Sequence, residues 1–198
     1  MTTLSAKSAA SGSKFPPWLF CLLLLTFVIG TDDFVIAGVL LEIAKDLDVS
    51  VAAAGQLVTV FSVTYAISAP VMAVLTARLP RRAVMITGML LFAAMNVGAA
   101  LAPNFSVLMV FRVLAAITAS MMTPAAFSTA ATLAPPEKVG RYMGTVAIGL
   151  TLSLVVGVPV GTWLGGAFGW RSTMVFIVGL ALVVAAGLAL FMPTLHKA

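Results

Sequence analysis

Six long apolar segments, joined by short polar connections, dominate this chain of 198 residues. Hydrophobic side chains make up 62% of the sequence and charged side chains only 9%, which excludes an ordinary soluble domain. Each segment is long enough to cross the ~30 Å hydrocarbon core of a bilayer as an α-helix. The sequence therefore predicts an all-α membrane protein with six transmembrane helices. The expected spans are residues 18–41, 52–77, 83–101, 106–133, 142–166 and 172–192.

The residues outside these spans predict the orientation of the chain. Residues 1–15 are rich in Ser, Ala, Thr and Lys without periodicity, so we expect a disordered cytoplasmic tail there, followed by a six-helix unit over residues 16–198. With the N-terminus inside, only Lys45 and Arg171 face outward. The basic residues expected on the cytoplasmic side are Lys7, Lys14, Arg78, Arg81, Arg82, Lys138, Arg141 and Lys197. This distribution predicts a multi-pass membrane protein with both termini cytoplasmic.

Two adjacent carboxylates, Asp32 and Asp33, lie inside the first span. An ionised Asp near the bilayer centre costs roughly 2.5–3.5 kcal/mol on insertion scales. Protonation, a water-filled cavity or a cationic partner could each offset this cost, and each makes the two acids candidates for handling protons or substrate. Because successive helical residues are rotated by ~100°, the two side chains cannot face the same way. We expect Asp33 to face inward and Asp32 to lie nearer a cavity wall or a neighbouring helix.

Arg112 is the only basic residue inside a predicted span. It lies about eight residues, or ~12 Å, from the outer end of the fourth span, and Asp33 lies equally far from the outer end of the first. An acid and an arginine at one depth on different helices can neutralise each other. Protonating the acid would release the arginine, which makes the pair a candidate switch. The alternative is a permanent ion pair that only fixes packing.

Arg78, Arg81 and Arg82 form a basic turn between the second and third spans. This turn is either a topology signal that contacts lipid phosphates or a latch that pairs with acids or helix C-termini when the inner side is closed. Glu137 is the only acid in the predicted cytoplasmic segments, so it is the local partner to test.

Small residues recur every four positions in the fifth span, and they are Gly149, Ser153, Gly157, Gly161 and Gly165. This spacing gives the helix one flat face, against which the backbone of another helix can pack closely.

A weak internal repeat relates the two halves of the sequence. The segment APVM at residues 69–72 is followed by Arg81, and the similar segment VPVG at residues 158–161 is followed by Arg171. One copy is expected on the cytoplasmic side and the other on the outer side. This opposite placement predicts two inverted three-helix repeats.

The sequence offers few groups for enzymatic or metal chemistry. Cys21 is the only cysteine and His196 the only histidine, so neither an intrachain disulfide nor a cysteine–histidine metal cluster can form. A small multispan enzyme acting on lipids would need His, Cys or paired acids at a membrane face, and these are lacking. We therefore expect a protein that is not an enzyme, needs no cofactor or metal and binds no nucleic acid.

Several short motifs occur in a fixed order along the chain. They are TDDFVIAG at residues 31–38, IAKDL at 43–47, LTARLPRR at 75–82, FRVL at 111–114, GVPVGTWLG at 157–165 and GWR at 169–171. Together they resemble the N-terminal half of a major facilitator superfamily transporter, and within that family the drug and sugar efflux group of proton antiporters. The resemblance covers residues 17–193.

The resemblance implies roles for three groups of residues. The arginine of the fourth span, Arg112, would take part in proton coupling, and the basic turn would help to gate the inner side. The glycine and proline motif of the fifth span would be the one associated with antiporters, and it consists of Gly157, Pro159, Gly161 and Gly165.

This chain departs from the family pattern in three respects. Ala77 stands where the loop motif usually carries Asp, and Pro80 stands where it usually carries Gly, so the basic turn must work without that acid. The family normally has two six-helix halves, whereas this chain has one. It could therefore be a fragment, one half of a homodimer, or a half-protein without transport activity.

The resemblance thus implies a transporter of the cell (inner) membrane that exports small organic compounds, such as drugs or sugars, in exchange for protons. Asp33 would bind the proton from the outer side, Arg112 would tune its proton affinity, and the flat face of the fifth span would permit rocking between two states. The expected partners are protons, a small-molecule substrate, membrane lipid, and a second copy or a missing C-terminal half. The alternative is a non-transporting half-protein that acts only with a second half.

Overall fold

Six helices that are long and apolar enough to cross a membrane make up the computed structural model, which describes residues 15–193. They are α1 (Pro17–Gly38), α3 (Val51–Leu75), α4 (Arg81–Ala100), α5 (Phe105–Leu133), a composite fifth span (Pro136–Phe168) and α8 (Trp170–Phe191). A short helix, α2 (Leu40–Asp46), follows α1. Within residues 15–193 there is no β-strand, and the prediction of six helices able to cross a membrane is confirmed.

The predicted tail lies outside the described residues, except for Phe15. The same is true of Lys7, Lys14, His196 and Lys197.

Local sequence explains where several helices begin and end. The Ser50 hydroxyl accepts a hydrogen bond from the Ala53 amide at 3.1 Å, and the Asn104 side chain accepts one from the Val107 amide at 3.0 Å. These two caps start α3 and α5 by satisfying free amides of the first turn. Span one is shorter than its apolar run because the helix breaks at Val39, where the backbone leaves helical geometry before α2.

The composite fifth span changes helix type along its length. A 3₁₀ turn (Pro136–Lys138) leads into α6 (Val139–Leu152), a π-helical segment (Ser153–Gly157) and α7 (Val158–Phe168). Pro159 follows the π-helical segment and has no amide hydrogen to donate to the preceding turn, so one backbone hydrogen bond is missing there. Single-turn π segments of this kind often occur at functional sites.

The contacts between the helices follow an approximate two-fold symmetry. The first span contacts the fifth and sixth spans, the fourth contacts the second and third, and the third contacts the sixth. Exchanging spans one, two and three with four, five and six maps these contacts onto one another, and the contact between the fifth and sixth spans is an exception. The arrangement is that of two inverted three-helix repeats, as the sequence predicts.

Two buried apolar clusters fill the bundle, and the acids of α1 lie between them. The first cluster includes Leu25, Phe92 and Ala116, and the second includes Val35 and Leu108. Residues 30–33 of α1 separate the contributions of this helix to the two clusters. The carboxylates are therefore placed in the middle of the bundle, away from either end.

Candidate functional site

An ion pair between α1 and α5 forms the centre of the site. Arg112 Nη1 donates to Asp32 Oδ2 at 2.7 Å, and Arg112 Nη2 donates to the backbone carbonyl of Asp32 at 3.3 Å. Both side chains are 0% exposed. Away from water, either charge alone would be costly, and the pairing offsets much of that cost. The contact therefore joins the two helices at the depth of the acids.

The partner of Arg112 is Asp32 and not Asp33, which corrects the pairing that the depth comparison favours. The ~100° rotation between successive residues turns Asp32 toward α5 while Asp33 points elsewhere. The expectation that Asp32 lies near a neighbouring helix agrees with this geometry. The expectation that Asp33 is the inward-facing acid is wrong, because Asp32 is fully buried whereas Asp33 is half-buried and lines a pocket. Counting residues along a helix gives depth but not direction, and direction decides which of two adjacent acids meets the arginine.

Two further residues complete the surroundings of the ion pair. Phe61 of α3 presents its ring to the guanidinium of Arg112, with 4.4 Å between the guanidinium carbon and the ring centroid. Asn96 of α4 is 1% exposed, and its Nδ2 atom donates to the Phe92 carbonyl of the same helix at 3.1 Å. Groups from α1, α3 and α5 thus meet at the charged pair.

Asp33 lines a partly enclosed pocket of about 410 Å³. The pocket is formed by Ile29, Gly30, Asp33, Phe34, Phe61, Ser62, Tyr65, Leu150, Thr151 and Leu154. Its walls come from α1, α3 and the fifth span, and aromatic and aliphatic side chains dominate them. The buried Oδ1 atom of Asp33 has no hydrogen-bond partner among the described residues. Asp33 is therefore the charged group that a molecule in this pocket would meet.

The flat face of the fifth span packs against α1, beside the two acids. A Cβ atom added at Gly149 would meet the backbone of Leu23, and one added at Gly157 would meet Thr31, which directly precedes Asp32. The other members of the face, Ser153, Gly161 and Gly165, are also buried, whereas Pro159 is exposed. The close helix–helix approach expected from the spacing is present, and it is made with the helix that carries the acids.

The basic turn contacts the end of another helix rather than an acid. Arg82 donates from Nη2 to the backbone carbonyl of Ala189, near the C-terminal end of α8, where cationic groups are favoured. Arg78 is exposed and Arg81 is half-buried. Glu137 is exposed, and among residues 15–193 no ion pair joins it to this turn.

A second polar network lies at the end of the bundle opposite the basic turn. The sequence analysis did not predict that its residues contact one another. Asp46 of α2 accepts hydrogen bonds from Arg171 and, at 3.0 Å, from Trp170 Nε1. Arg171 also donates to the backbone carbonyl of Ala102 at 3.1 Å and stacks over the Trp170 ring. The network connects α2, α8 and the turn between α4 and α5.

This network makes stability depend on pH. Hydrogen bonds from Arg171 and Trp170 hold the pKa of Asp46 below its ordinary value of 3.8. A carboxyl with a lowered folded-state pKa contributes stability above its unfolded pKa and loses it as the pH falls through the folded value. Because Asp46 is about half exposed, we expect Asp46→Asn to lower the melting temperature at pH 7 by only about 2 °C.

The measurement is thermal unfolding of the detergent-purified wild type and the Asp46→Asn variant from pH 7 down to pH 2. The difference between the two proteins should shrink below about pH 4. A difference of unchanged size throughout this range would contradict the assigned role of the Asp46 charge.

Asn96 and Phe61 are the site residues that sequence reasoning missed. A lone Asn within an apolar span is a usable signal, since a polar side chain in a membrane helix requires a partner. Phe61 gives no such signal, because one aromatic residue in an apolar run looks like any other. Its position over Arg112 follows only from the packing of α3 on α5.

Comparison with known proteins places this chain in a family. A family model described as the Major Facilitator Superfamily matches residues 22–198. The uncharacterized MFS-type transporter YbcL of Bacillus subtilis (strain 168) is 38% identical over 165 residues, which cover 83% of this chain and 42% of YbcL. The chloramphenicol efflux pump Rv0191 of Mycobacterium tuberculosis is 31% identical over 197 residues, covering 96% of this chain and 48% of the pump.

Solved structures share the same architecture. A bacterial homolog of the human lysosomal transporter Spinster, in an inward-facing and unoccupied conformation, matches with a TM-score of 0.79 and 24% identity. The match covers 91% of this chain and 43% of that one. This chain thus spans less than half the length of each of these three proteins. Its relatives are membrane transporters rather than enzymes, and with a family model matching nearly its whole length, the chain belongs to the Major Facilitator Superfamily.

Proposed function

We propose that this chain takes part in the proton-coupled export of small organic compounds, such as drugs or sugars. The observation that carries the proposal is the grouping of two carboxylates and one guanidinium inside the bundle. Asp32 and Arg112 form a buried ion pair, and Asp33 adjoins it on the wall of the pocket. Such intramembrane acids are costly, and a role in binding protons or substrate is the usual reason for their presence.

The charges of this group favour the uptake of one proton. When both acids are ionised, the group has one negative charge more than Arg112 can neutralise. A proton on Asp33, the acid that faces the pocket, would balance that charge while leaving the Asp32–Arg112 pair in place. A substrate in the same pocket would meet either a charged or a neutral carboxyl, so proton and substrate binding would be coupled.

The remaining candidate residues fit a cycle of alternating access. The close packing of the fifth span on α1, through Gly149 and Gly157, provides a smooth surface along which the helices could rock. Arg82, anchored on the end of α8, would hold one end of the bundle closed with Arg78 and Arg81. In this scheme the basic turn and both termini face the cytoplasm, as the positive-inside distribution favours, and the protein resides in the cell (inner) membrane.

A second candidate function follows from the length of the chain. It spans less than half of the relatives it matches, which favours transport only in combination with a second six-helix half, either a C-terminal half or another copy. The pocket that Asp33 lines would then be one wall of a larger cavity between the halves.

We predict that Asp33→Asn abolishes proton-driven export, because an amide cannot take up a proton at physiological pH. The measurement is accumulation of labelled chloramphenicol, and of a panel of labelled sugars, in cells that lack their own exporters, with and without a protonophore. The wild-type chain should lower accumulation in a protonophore-sensitive way, and the variant should lose at least nine-tenths of this effect.

Asp48→Asn is the matched control, since it removes an exposed carboxylate outside the spans. It should export like the wild type. Wild-type export from an inserted Asp33→Asn chain would refute the role of Asp33. If the inserted wild-type chain exports none of these compounds, the second candidate function is favoured instead.

A further inference from the structure

The ring of Phe61 contacts the buried ion pair and also forms part of the pocket wall. Phe61 is among the residues that line the pocket of about 410 Å³, and the guanidinium carbon of Arg112 lies 4.4 Å from the centroid of its ring. Neither Arg112 nor Asp32 lines the pocket, and both side chains are 0% exposed. The ring therefore forms the wall of the pocket at the point where Arg112 lies behind it.

A second aromatic residue holds Phe61 in this position. Tyr65, one turn further along α3, is half-buried, and its ring stacks on that of Phe61 with 6.4 Å between the centroids and 16° between the planes. Nearly parallel rings at this distance attract each other, so each restricts the rotation of its neighbour. Phe61 itself is 1% exposed and packs into the apolar cluster that includes Leu25 and Phe92. The ring is thus a fixed cover over the guanidinium.

The charge that the pocket presents depends on this cover. Of the described residues that line the pocket, only Asp33 carries a charge. When Asp33 is ionised it repels an anion, and when it is protonated it offers no positive charge to attract one. An anion that leaves water without gaining a cationic partner loses its hydration without compensation. The pocket therefore favours uncharged or cationic compounds over anionic ones.

Arg112 would reverse this preference if a molecule in the pocket could reach it. A guanidinium presents a planar fork of N–H donors that matches the two oxygens of a carboxylate. Arg112 Nε is buried and has no hydrogen-bond partner among residues 15–193, so part of this donor capacity is unused. The Phe61 ring lies over the guanidinium on the side of the pocket wall and keeps such a carboxylate away.

We propose that Phe61 determines which charge the pocket accepts, because its ring covers Arg112 and thereby excludes anionic compounds. This inference rests on the proposed function and deepens it, since it restricts the exported compounds to uncharged or cationic ones. The negatively polarised face of the ring attracts the guanidinium and helps to hold it at Asp32. The bulk of the ring keeps water and anions away from the pair.

The first test measures whether Phe61 shields Arg112 in the detergent-purified chain. The chain is treated with phenylglyoxal, a small reagent that modifies accessible arginine side chains, and the modified residues are identified by mass spectrometry. In the wild type, the exposed Arg78 should react and Arg112 should not. Phe61→Ala should raise the rate at Arg112 by about tenfold or more, as expected for loss of a desolvated cation–π contact. An unchanged rate at Arg112 in the folded variant would overturn the proposal.

The second test measures whether removal of the ring creates a site for an anion. Benzoate, whose carboxylate can pair with Arg112, should raise the melting temperature of Phe61→Ala by about 3 °C at roughly ten times its dissociation constant. It should leave the melting temperature of the wild type unchanged. The shift should also vanish when Phe61→Ala is combined with Asp32→Leu and Arg112→Leu. Absence of a shift in Phe61→Ala, or an equal shift in the wild type, would overturn the proposal.

Phe34→Ala is the matched control for both tests. Phe34 lines the same pocket and is 43% exposed, whereas the ring over the guanidinium belongs to Phe61. The control enlarges the pocket without uncovering Arg112, so Arg112 should stay unreactive and benzoate should not stabilise the variant. If Phe61→Ala does not fold, Phe61→Leu takes its place, because it keeps an apolar side chain but has no ring.

Neither test depends on export. If the wild-type chain exports none of the labelled compounds, the proposed function fails, whereas the reactivity and unfolding experiments still decide whether Phe61 separates Arg112 from the pocket.

Discussion

Replacing Arg112 with leucine should destabilise the folded chain by about 3–5 kcal/mol, the usual loss when one partner of a buried ion pair is removed. Asp32 would remain fully buried, with its charge no longer neutralised by a partner on α5. The measurement is unfolding of the detergent-purified variant and wild type, monitored by circular dichroism. Arg141→Leu is the control, because Arg141 is exposed at the start of α6 and should change stability by less than about 1 kcal/mol.

A double variant separates the cost of an unpaired charge from the value of the pair. Replacing Asp32 and Arg112 together by leucine removes both charges, so most of the lost stability should return. We nevertheless expect no export from the double variant, because the group would no longer contain the pair. A single Arg112→Leu variant as stable as the wild type would contradict the burial of the pair. A double variant less stable than the single one would show that the pair itself is strongly stabilising.

The second large effect is expected for Gly149→Val. The α6 backbone approaches α1 so closely at this point that a Cβ atom would overlap the backbone carbonyl of Leu23. A backbone atom cannot rotate away as a side chain can, and the hydrogen bond from Thr26 Oγ1 to the Val146 carbonyl, 2.7 Å long, fixes the two helices beside it. We expect a loss of about 3 kcal/mol or more, at the upper end of the range for overpacked interiors.

Gly144→Val provides the matched control for this prediction. Gly144 lies on the same helix, is exposed, and has no heavy atom within 4 Å of the position that a Cβ atom would take. Both variants place the same β-branched residue in α6, so the difference between their melting temperatures reports the contact with α1. Similar losses in the two variants would mean that the flat face is not a close helix contact.

The two adjacent acids show how far sequence reasoning can reach. The apolar run around Asp32 and Asp33 places both in the membrane, and the residue count from the span ends places Arg112 at a similar depth. The same reasoning chose Asp33 as the partner, whereas Asp32 makes the contact at 2.7 Å. The rotation between successive residues shows that the two side chains point in different directions, but it does not show on which side of α1 the helix α5 lies.

The network around Asp46 shows the same limit from another side. Each of its residues is visible in the sequence, yet they meet only through contacts of α8 with α2 and with the turn before α5, and the sequence gives no distance between helices. The basic turn is similar. Its charges are plain in the sequence, but the acceptor of Arg82 on α8 emerges only when the third and sixth spans are packed together.

The sequence by itself determined that the chain is surrounded by lipid, that its spans are helical and how many spans there are. Backbone polar groups in lipid must be hydrogen-bonded within the protein, and a continuous apolar run of about 20 residues achieves this as an α-helix. The regular spacing of small residues also determined which face of the fifth span can approach another backbone. These properties are local, since they depend on residues that are neighbours along one helix.

The tertiary structure decided which charges meet, which acid faces the pocket and where the π-helical segment lies. These properties depend on the rotation and crossing of helices, which are set by the simultaneous packing of side chains from all six spans. Rotating α1 by about 100°, the angle between successive residues, would exchange the directions of the Asp32 and Asp33 side chains without changing the composition of the apolar run. The sequence therefore predicts where along the first span the candidate site lies. Helix packing decides which of its two acids pairs with Arg112 and which lines the pocket.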